Sequence, residues 1–424
     1  MDINIYPSSE IKGEITIPAS KSVSQRALAC ALIVKGKTKI YNLGESEDEL
    51  AALDILRQTG AVINRFENCT EIISSGIEKL ENLKVNCNES GLSSRMFTPL
   101  LSNSKNQVLL KGEGSLVKRP MHFFDALMKE LNVKFISNEG KLPFHINGPL
   151  IPKNIELDGS LSSQFITGVI YGYVASPYLT NEQITILNPT SIPYIELSLT
   201  VLKEFGVNLK LENNEIKFNG PYQLKETEIN IEGDWSSASF FLVLAAINGE
   251  LKINNLNSNS NQADIAILNA LKDYGAQIDQ QENSVFIRKN KANPFVFDAT
   301  HCPDLFPPLA VLACFANGTS TIKGVHRLFA KESNRAIAIQ EELGKMGAKI
   351  TIENDEMHIE PIFYAKPAII NPHGDHRIAM AAAILGSRAT KYISIENAKV
   401  VNKSFPSFYK LLKNVKEDNY FSIH

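Results

Sequence analysis

The chain has 424 residues, 44% of them hydrophobic, and its 43 Lys and Arg against 46 Asp and Glu give a formal net charge of −3. That length predicts two to three domains with sizeable cores. The near-balanced charge excludes a nucleic-acid or membrane surface at the whole-chain level, so any basic cluster must be local.

Cys30, Cys69, Cys87, Cys302 and Cys314 form no CxxC pair and are odd in number, which predicts reduced thiols. The N-terminus lacks both the basic and apolar regions of a secretory signal and the Arg/Ser bias of a transit peptide. The longest apolar run, Phe240 to Ile247, is too short to span a bilayer. A soluble, cytoplasmic protein is expected.

In chain order, residues 17–28 (Ile-Pro-Ala-Ser-Lys-Ser-Val-Ser-Gln-Arg-Ala-Leu) read as a strand end running into a helix that Ser20 or Ser22 can cap. Lys21 and Arg26 then fall in its first turns, where the helix dipole favours anions over cations by roughly 0.3–1 kcal/mol. A bound phosphate or carboxylate, held by backbone N–H groups and both cations, would repair that imbalance. The alternative is a solvated basic turn. Next comes Leu53 to Ile63, an amphipathic helix closed by Gly60 and followed by a strand.

Both segments then return. Small polar residues run into an apolar helix at Ser93-Ser-Arg-Met-Phe97, Ser162-Ser-Gln-Phe-Ile166, Ser236 to Phe241, Pro303 to Ala310 and Asp375 to Ala381. Aligned on Arg26, Arg95, Gln164, Ala238, Leu305 and Arg377, the copies lie 67–74 residues apart. The capped helices return at Asn132, Gly206, Gly275 and Gly347, with steps of 69–74 residues from Gly60 onward. The two registers run in phase and define six α/β units. With short β-branched stretches such as Gln107–Lys111, Gln183–Leu187 and Tyr392–Glu396 between helices, each unit reads as strand, helix, strand, strand, helix, strand. Two compact domains of three units suit this length better than a solenoid. The first helix of each unit is mostly apolar and expected to be buried; the second is amphipathic and expected outside. Six polar, often basic helix tips pointed at one place would trap anions.

Charged residues gather near those tips, as Lys118-Arg119-Pro120, Lys331-Glu-Ser-Asn-Arg335, Asp375-His-Arg377 and Asn402-Lys403-Ser-Phe-Pro406. The i, i+4 spacing puts Lys331 and Arg335 on one helical face, with Glu332 about 100° away. Glu332 is a candidate proton donor if a low dielectric poises it. Asp304 is a second acid/base candidate, or simply a helix N-cap. For His301, His373 and His376 no ligand spacing and no accompanying carboxylate cluster is evident, so no metal is expected. Cys302 beside His301 lacks the spatial pairing that activates a thiol, and Gly112-Glu-Gly114 is a lone GxG.

Lys21-Ser-Val-Ser-Gln-Arg26, Asp158-Gly-Ser-Leu-Ser-Ser-Gln-Phe165, Lys331-Glu-Ser-Asn-Arg335, Asp375-His-Arg377 and Lys403-Ser-Phe-Pro406 are the most specific pieces of a likeness that covers essentially the whole chain. The chain resembles the 5-enolpyruvylshikimate-3-phosphate synthases (3-phosphoshikimate 1-carboxyvinyltransferases) of the enolpyruvyl transferase family. The resemblance implies an α/β, two-domain enolpyruvyl transferase-like fold, an inside-out α/β barrel in which each domain has three βαββαβ units with pseudo-threefold symmetry. One domain would be 20–230 and the other 1–19 plus 231–424, with the active site between them and closure on ligand binding. The implied reaction moves the enolpyruvyl group of phosphoenolpyruvate to the 5-hydroxyl of shikimate 3-phosphate through a tetrahedral adduct, releasing phosphate.

By resemblance, Ser22, Arg26, Ser162, Ser163, Ser191, Tyr194 and Lys331 would hold shikimate 3-phosphate, with Lys21 and Asp304 also in contact. Gln164 would lie between the substrates. Lys21, Gly91, Arg95, Arg119, Arg335, Arg377 and Lys403 would hold phosphoenolpyruvate. Glu332 would protonate the methylene carbon, and Asp304 with Lys21 would take the hydroxyl proton. No cofactor, metal, nucleic acid or membrane is implied, and a monomer is expected. The chain departs from the family at Glu89, Leu92, Met96, Phe329 and Asn334. Glu89 would add a carboxylate beside the phosphoenolpyruvate pocket, and Leu92 would narrow that pocket toward the family's inhibitor glyphosate. The rival within the fold is a UDP-N-acetylglucosamine enolpyruvyl transferase, whose usual Cys is missing from Lys111 to Pro120. The rival outside catalysis is a non-catalytic anion-binding relative, against which the pair Asp304 and Glu332 argues.

Overall fold

The computed structural model describes residues 1–77, 83–329 and 331–416, with the backbone alone at 421–423. The chain forms two compact units, one of Ala19–Ile231 and a split one of Met1–Pro18 with Glu232–His424. The 20–230 and 1–19 plus 231–424 division read from the sequence differs from these bounds by one residue at each crossing.

The 19–231 unit carries helices α1 (Lys21–Ile33), α2 (Glu47–Gln58), α3 (Gly91–Leu101), α4 (Phe123–Glu130), α5 (Ser163–Val174) and α6 (Ile192–Glu204). The split unit carries α7 (Trp235–Asn248), α8 (Ile267–Tyr274), α9 (Phe306–Cys314), α10 (Arg335–Lys345), α11 (His376–Gly386) and α12 (Phe408–Asn414). Among the described residues there are six four-stranded sheets, three in each unit. In one, Leu83–Asn86 runs parallel to Gln107–Lys111, which pairs antiparallel with Lys141–Asn147, itself antiparallel to Lys134–Asn138.

The order along the chain is therefore strand, helix, strand, helix, strand, strand, which corrects the expected βαββαβ. One strand stands behind the second helix instead of before it. Between Gln107–Lys111 and α4 the chain holds Gly112, Gly114, a 3-10 turn at Leu116–Lys118 and Pro120, which leave no room for a strand. Behind α4, Glu139 and Gly140, both at positive φ, turn the last two strands into a hairpin. In two sheets the first strand comes from the far end of the sequence. Glu14–Thr16 lies parallel to Glu250–Asn254, and Thr227–Asn230 lies parallel to Lys35–Tyr41. These two exchanges make the chain cross between units twice.

The odd-numbered helices are the apolar ones and form the cores; α7 and α11 are buried along their whole length. The second helices of the first five repeats end alike. Gly60, Asn132, Gly206, Gly275 and Gly347 all have left-handed φ, from +64° to +97°. After each, the next residue's N–H bonds five residues back, as in Ala61 to Leu56 and Val133 to Met128, so the C-caps read from the sequence are Schellman motifs.

A feature that the repeat pattern does not announce joins α3 to α5. A Cβ on Gly168 would lie 2.2 Å from the Arg95 carbonyl oxygen, and one on Gly172 would lie 2.9 Å from Pro99. The two glycines, one turn apart on α5, let the backbones touch.

Two glycine substitutions separate conformational from steric cost. Gly60→Ala meets no atom within 4 Å and is expected to lower stability only by the roughly 1–2 kcal/mol of a left-handed alanine, with activity kept. Gly168→Ala is expected to cost more, about 1–3 kcal/mol or above for overpacking, and to lower substrate affinity by parting α3 from α5. Denaturant midpoints and steady-state kinetics of both variants test the contrast.

Candidate active site

Each unit gathers its own group of the residues singled out above. In the 19–231 unit, Lys21 is the first residue of α1. Ser20 stands at the N-cap, but its side chain does not cap the helix. Lys21 meets Asp48 of α2 at 2.8 Å, so part of the charge imbalance at this tip is repaired from within the chain. Asp48 was not among the sequence candidates, because it lies inside the acidic first turn of a helix with its own capping box, Ser46 with Glu49.

Arg26, one turn on, is buried. Its guanidinium donates to Ser198 Oγ (2.9 Å), the Ser22 carbonyl (2.8 Å), the Tyr194 carbonyl (3.1 Å) and Thr167 Oγ1 (3.5 Å). All these acceptors are neutral. Burial pushes its pKa down from the usual guanidinium value. Ser191, just before α6, holds a left-handed backbone at φ +53°, an uncommon conformation for serine.

Arg95 donates to Gln164 Oε1 at 2.6 Å and lies over the Phe165 ring at 4.9 Å. Gly91 opens α3 under the same groups. A Cβ there would be 2.8 Å from an Arg119 terminal nitrogen, 3.3 Å from one of Arg95 and 3.8 Å from Gln164 Oε1. Gly91, Arg95, Arg119 and Gln164 thus stand together. Ser162 caps α5 by accepting from the Gln164 N–H, and Ser163 is buried beside it.

Two departures from the family pattern have surroundings of their own. Glu89 accepts from the Ser115 N–H (3.0 Å) and hydroxyl (2.8 Å), tying down the loop ahead of Arg119. Leu92 is buried in the core cluster of its unit.

In the split unit the centre is Arg335, 1% exposed at its side chain. It donates to Asp375 Oδ2 (2.8 Å) and Oδ1 (3.3 Å), Asp304 Oδ1 (2.8 Å) and Glu332 Oε2 (2.6 Å). Asp304 also meets Arg377 at 3.0 Å and Lys331 at 3.5 Å. Burial alone would raise the Asp304 pKa, but Arg377, Lys331 and Arg335 overcome it and hold the carboxyl well below the usual range. Burial lowers the pKa of Lys331. Asp375 caps α11 through the Arg377 N–H. Asn334 caps α10, so the amide that replaces the family's usual Asp keeps that function. Lys403 is buried at the end of the 3-10 segment Ala398–Lys403, which packs on α11.

Two groups here escaped the sequence reading. Asp375 was visible only as part of a motif, and its bond to Arg335 spans 40 residues. Asp264 is 1% exposed, and burial with the nearby Asp304 raises its pKa to about 7 against the opposing pull of Arg377. No local pattern marks it. A third finding is a correction. His373 does have carboxylate neighbours, since Glu341, Glu342 and His373 could bring three ligand atoms within 4.8 Å of one another. The Lys345 ammonium already lies 2.8 Å from both Glu342 oxygens and opposes a cation there.

The model of the EPSP synthase family, 3-phosphoshikimate 1-carboxyvinyltransferase, matches residues 5–412. The chain belongs to the EPSP synthase family. It is 34% identical over 411 residues to a 3-phosphoshikimate 1-carboxyvinyltransferase of Clostridium kluyveri, covering 96% of each chain. The solved EPSP synthase of Acinetobacter baumannii superposes over 100% of both chains with a TM-score of 0.83 at 27% identity. The enolpyruvyl transferase NikO of Streptomyces tendae, at 14% identity and a TM-score of 0.78, shares the fold. The family assignment makes the chain a transferase with the two-domain enolpyruvyl transferase fold.

Asp264 gives a pH test of this environment. A carboxyl whose folded pKa lies near 7 keeps a proton that the unfolded chain releases near pH 4, so its contribution to stability falls as pH rises between the two values. Asp264→Asn is therefore expected to be near neutral at pH 4 and to stabilise on the order of 4 kcal/mol at pH 8. Thermal unfolding of both proteins across that range measures the difference.

Proposed function

We propose that the two groups serve one reaction, with the 19–231 unit supplying Ser22, Arg26, Ser162, Ser163, Ser191 and Tyr194 to shikimate 3-phosphate. Gly91, Arg95 and Arg119 from that unit, with Arg335, Arg377 and Lys403 from the other, receive phosphoenolpyruvate. Gln164, bonded to Arg95, lies between the substrates. The chain transfers the enolpyruvyl group of phosphoenolpyruvate to the 5-hydroxyl of shikimate 3-phosphate, in the shikimate pathway, and releases phosphate. Both substrates are small and anionic. Fixed cations cancel their repulsion and stabilise charge as it develops, while the buried scaffold fixes their geometry.

The observation that carries the residue assignment is Arg335, whose guanidinium holds both acid/base candidates, Asp304 and Glu332. Arg335 also donates to Glu332 Oε2 at 2.6 Å, so that carboxylate is engaged until a competing anion arrives. An arriving phosphoenolpyruvate competes for Arg335 and Arg377, and shikimate 3-phosphate for Lys331, so the substrates draw cations away from both carboxylates. Asp304 thereby becomes a better base for the hydroxyl proton, aided by Lys21, and Glu332 becomes able to carry the proton that the methylene carbon receives. Among the described residues no helix is long and apolar enough to cross a membrane, and the five cysteines are free. These features support a cytoplasmic enzyme, which we read as a monomer.

Phosphate release is expected with phosphoenolpyruvate plus shikimate 3-phosphate and not with phosphoenolpyruvate plus UDP-N-acetylglucosamine; silence with both from a folded sample would reject the reading. Glu332→Gln is expected to lower kcat about 10²–10⁴-fold. Its binding of shikimate 3-phosphate should be retained. In Gly91→Ala the new methyl would crowd Arg119 at 2.8 Å, so KM for phosphoenolpyruvate should rise with little change for shikimate 3-phosphate. Equal rises for both substrates would remove Gly91 from the phosphoenolpyruvate side.

A further inference from the structure

Seven residues beyond Arg335, two turns along α10, Glu342 is buried at 1% exposure and has no part in the chemistry above. Its carboxylate is fully engaged. Oε2 accepts the Asn371 N–H at 3.0 Å, Oε1 lies 2.8 Å from His373 Nε2, and the Lys345 ammonium reaches both oxygens. The segment it grips leads directly into the phosphoenolpyruvate-side cations. Asn371 Oδ1 accepts the His373 N–H at 2.8 Å, and the Pro372 carbonyl accepts the Asp375 N–H at 2.8 Å.

Between them, His373 and Gly374 both take left-handed φ, +52° and +70°, a pair that L side chains resist unless the surroundings enforce it. The next residue is Asp375, which caps α11 through the Arg377 N–H at 3.0 Å and binds Arg335. Helix α10 therefore holds one short segment at two points, Arg335 on Asp375 and Glu342 on Asn371 and His373.

We propose that Glu342 is a positioning residue: by fixing the left-handed turn at His373 and Gly374 it sets where Asp375 meets Arg335 and how α11 presents Arg377. It touches no reacting atom. A carboxylate is needed because Asn371, His373 and Lys345 all approach as donors, and an amide in its place offers one accepting oxygen where two are used. The inference rests on the reading that Arg335 and Arg377 receive phosphoenolpyruvate.

The test uses Glu342→Gln, His373→Ala and His373→Gln in the full chain, with steady-state kinetics and amide hydrogen exchange. His373→Gln places an amide donor near the position of Nε2 and serves as the conservative control. Glu342→Gln and His373→Ala are expected to raise KM for phosphoenolpyruvate about tenfold while KM for shikimate 3-phosphate stays within about twofold. The Arg377 amide should exchange about tenfold faster, with the later amides of α11 unchanged. His373→Gln should restore both toward wild type. If Glu342→Gln does not fold, His373→Ala carries the same readouts with the buried carboxylate in place. An unchanged Arg377 amide and unchanged KM for phosphoenolpyruvate, with only Asn371 loosened or the melting temperature lowered, would overturn the proposal. If instead the wild-type protein fails to turn over the two substrates while the Arg377 amide responds as expected, the proposed reaction fails and the positioning role stands.

Discussion

The split unit is built around a charge that could not be there alone. A guanidinium taken out of water loses several kcal/mol of hydration, and only close, well-directed anions restore it. Arg335 has three carboxylate partners, and the partners differ. Asp375 is fully buried and belongs to the cap of α11, whereas Asp304 and Glu332 are 25% and 17% exposed at their side chains. One side of the guanidinium is thus bolted to the scaffold, and the other is paired with groups that solvent and solutes can reach. Such a residue stays in place while its outward pairings exchange.

The repeated architecture explains why charge collects at these points. Each first helix is apolar enough to be buried, so its N-terminal turn must satisfy its own N–H groups without bulk water. Ser90, Ser162, Asp234 and Asp375 do so as N-caps of α3, α5, α7 and α11. The capped tips then carry their functional side chains within the first turns, as with Arg95 on α3, Gln164 on α5 and Arg377 on α11. In the 19–231 unit, the glycine face of α5 closes the remaining distance to α3 and brings Arg95 and Gln164 into contact. Packing and function use the same helix ends.

Much of this was legible in the sequence, and its limits follow from the physics. The six-fold repeat, the burial of the first helices and the left-handed caps at Gly60, Asn132, Gly206, Gly275 and Gly347 are local properties, written in composition and period. The strand order was not, because strands of three to five residues give little periodicity and the breakers between Lys111 and α4 were outweighed by the repeat. Lys21, Arg95, Arg335 and Arg377 could be singled out from motifs. Asp48, Asp264 and Glu342 could not, since each is a carboxylate inside or beside a helix whose meaning comes from a partner distant in sequence. The expected absence of carboxylates around His373 failed for that reason: Glu342 lies 31 residues away along the chain.

The two groups of side chains also differ in what an arriving anion must displace. Arg26 is surrounded by neutral oxygens, and among the described residues no carboxylate bonds to it, so an anion drawn to its field opposes no existing ion pair. Arg335 and Arg377 are already neutralised by Asp304, Glu332 and Asp375, so an anion there must exchange partners with the chain. On the proposed reading that exchange costs binding energy, because part of the attraction to phosphoenolpyruvate would be used to detach Asp304 and Glu332 from their cations. It would also confine proton transfer to the complex, since the carboxylates would be released only when the substrate that needs them has arrived. Affinity given up at Arg335 would then reappear as reactivity at Asp304 and Glu332, which is how binding energy lowers a barrier instead of merely tightening a complex.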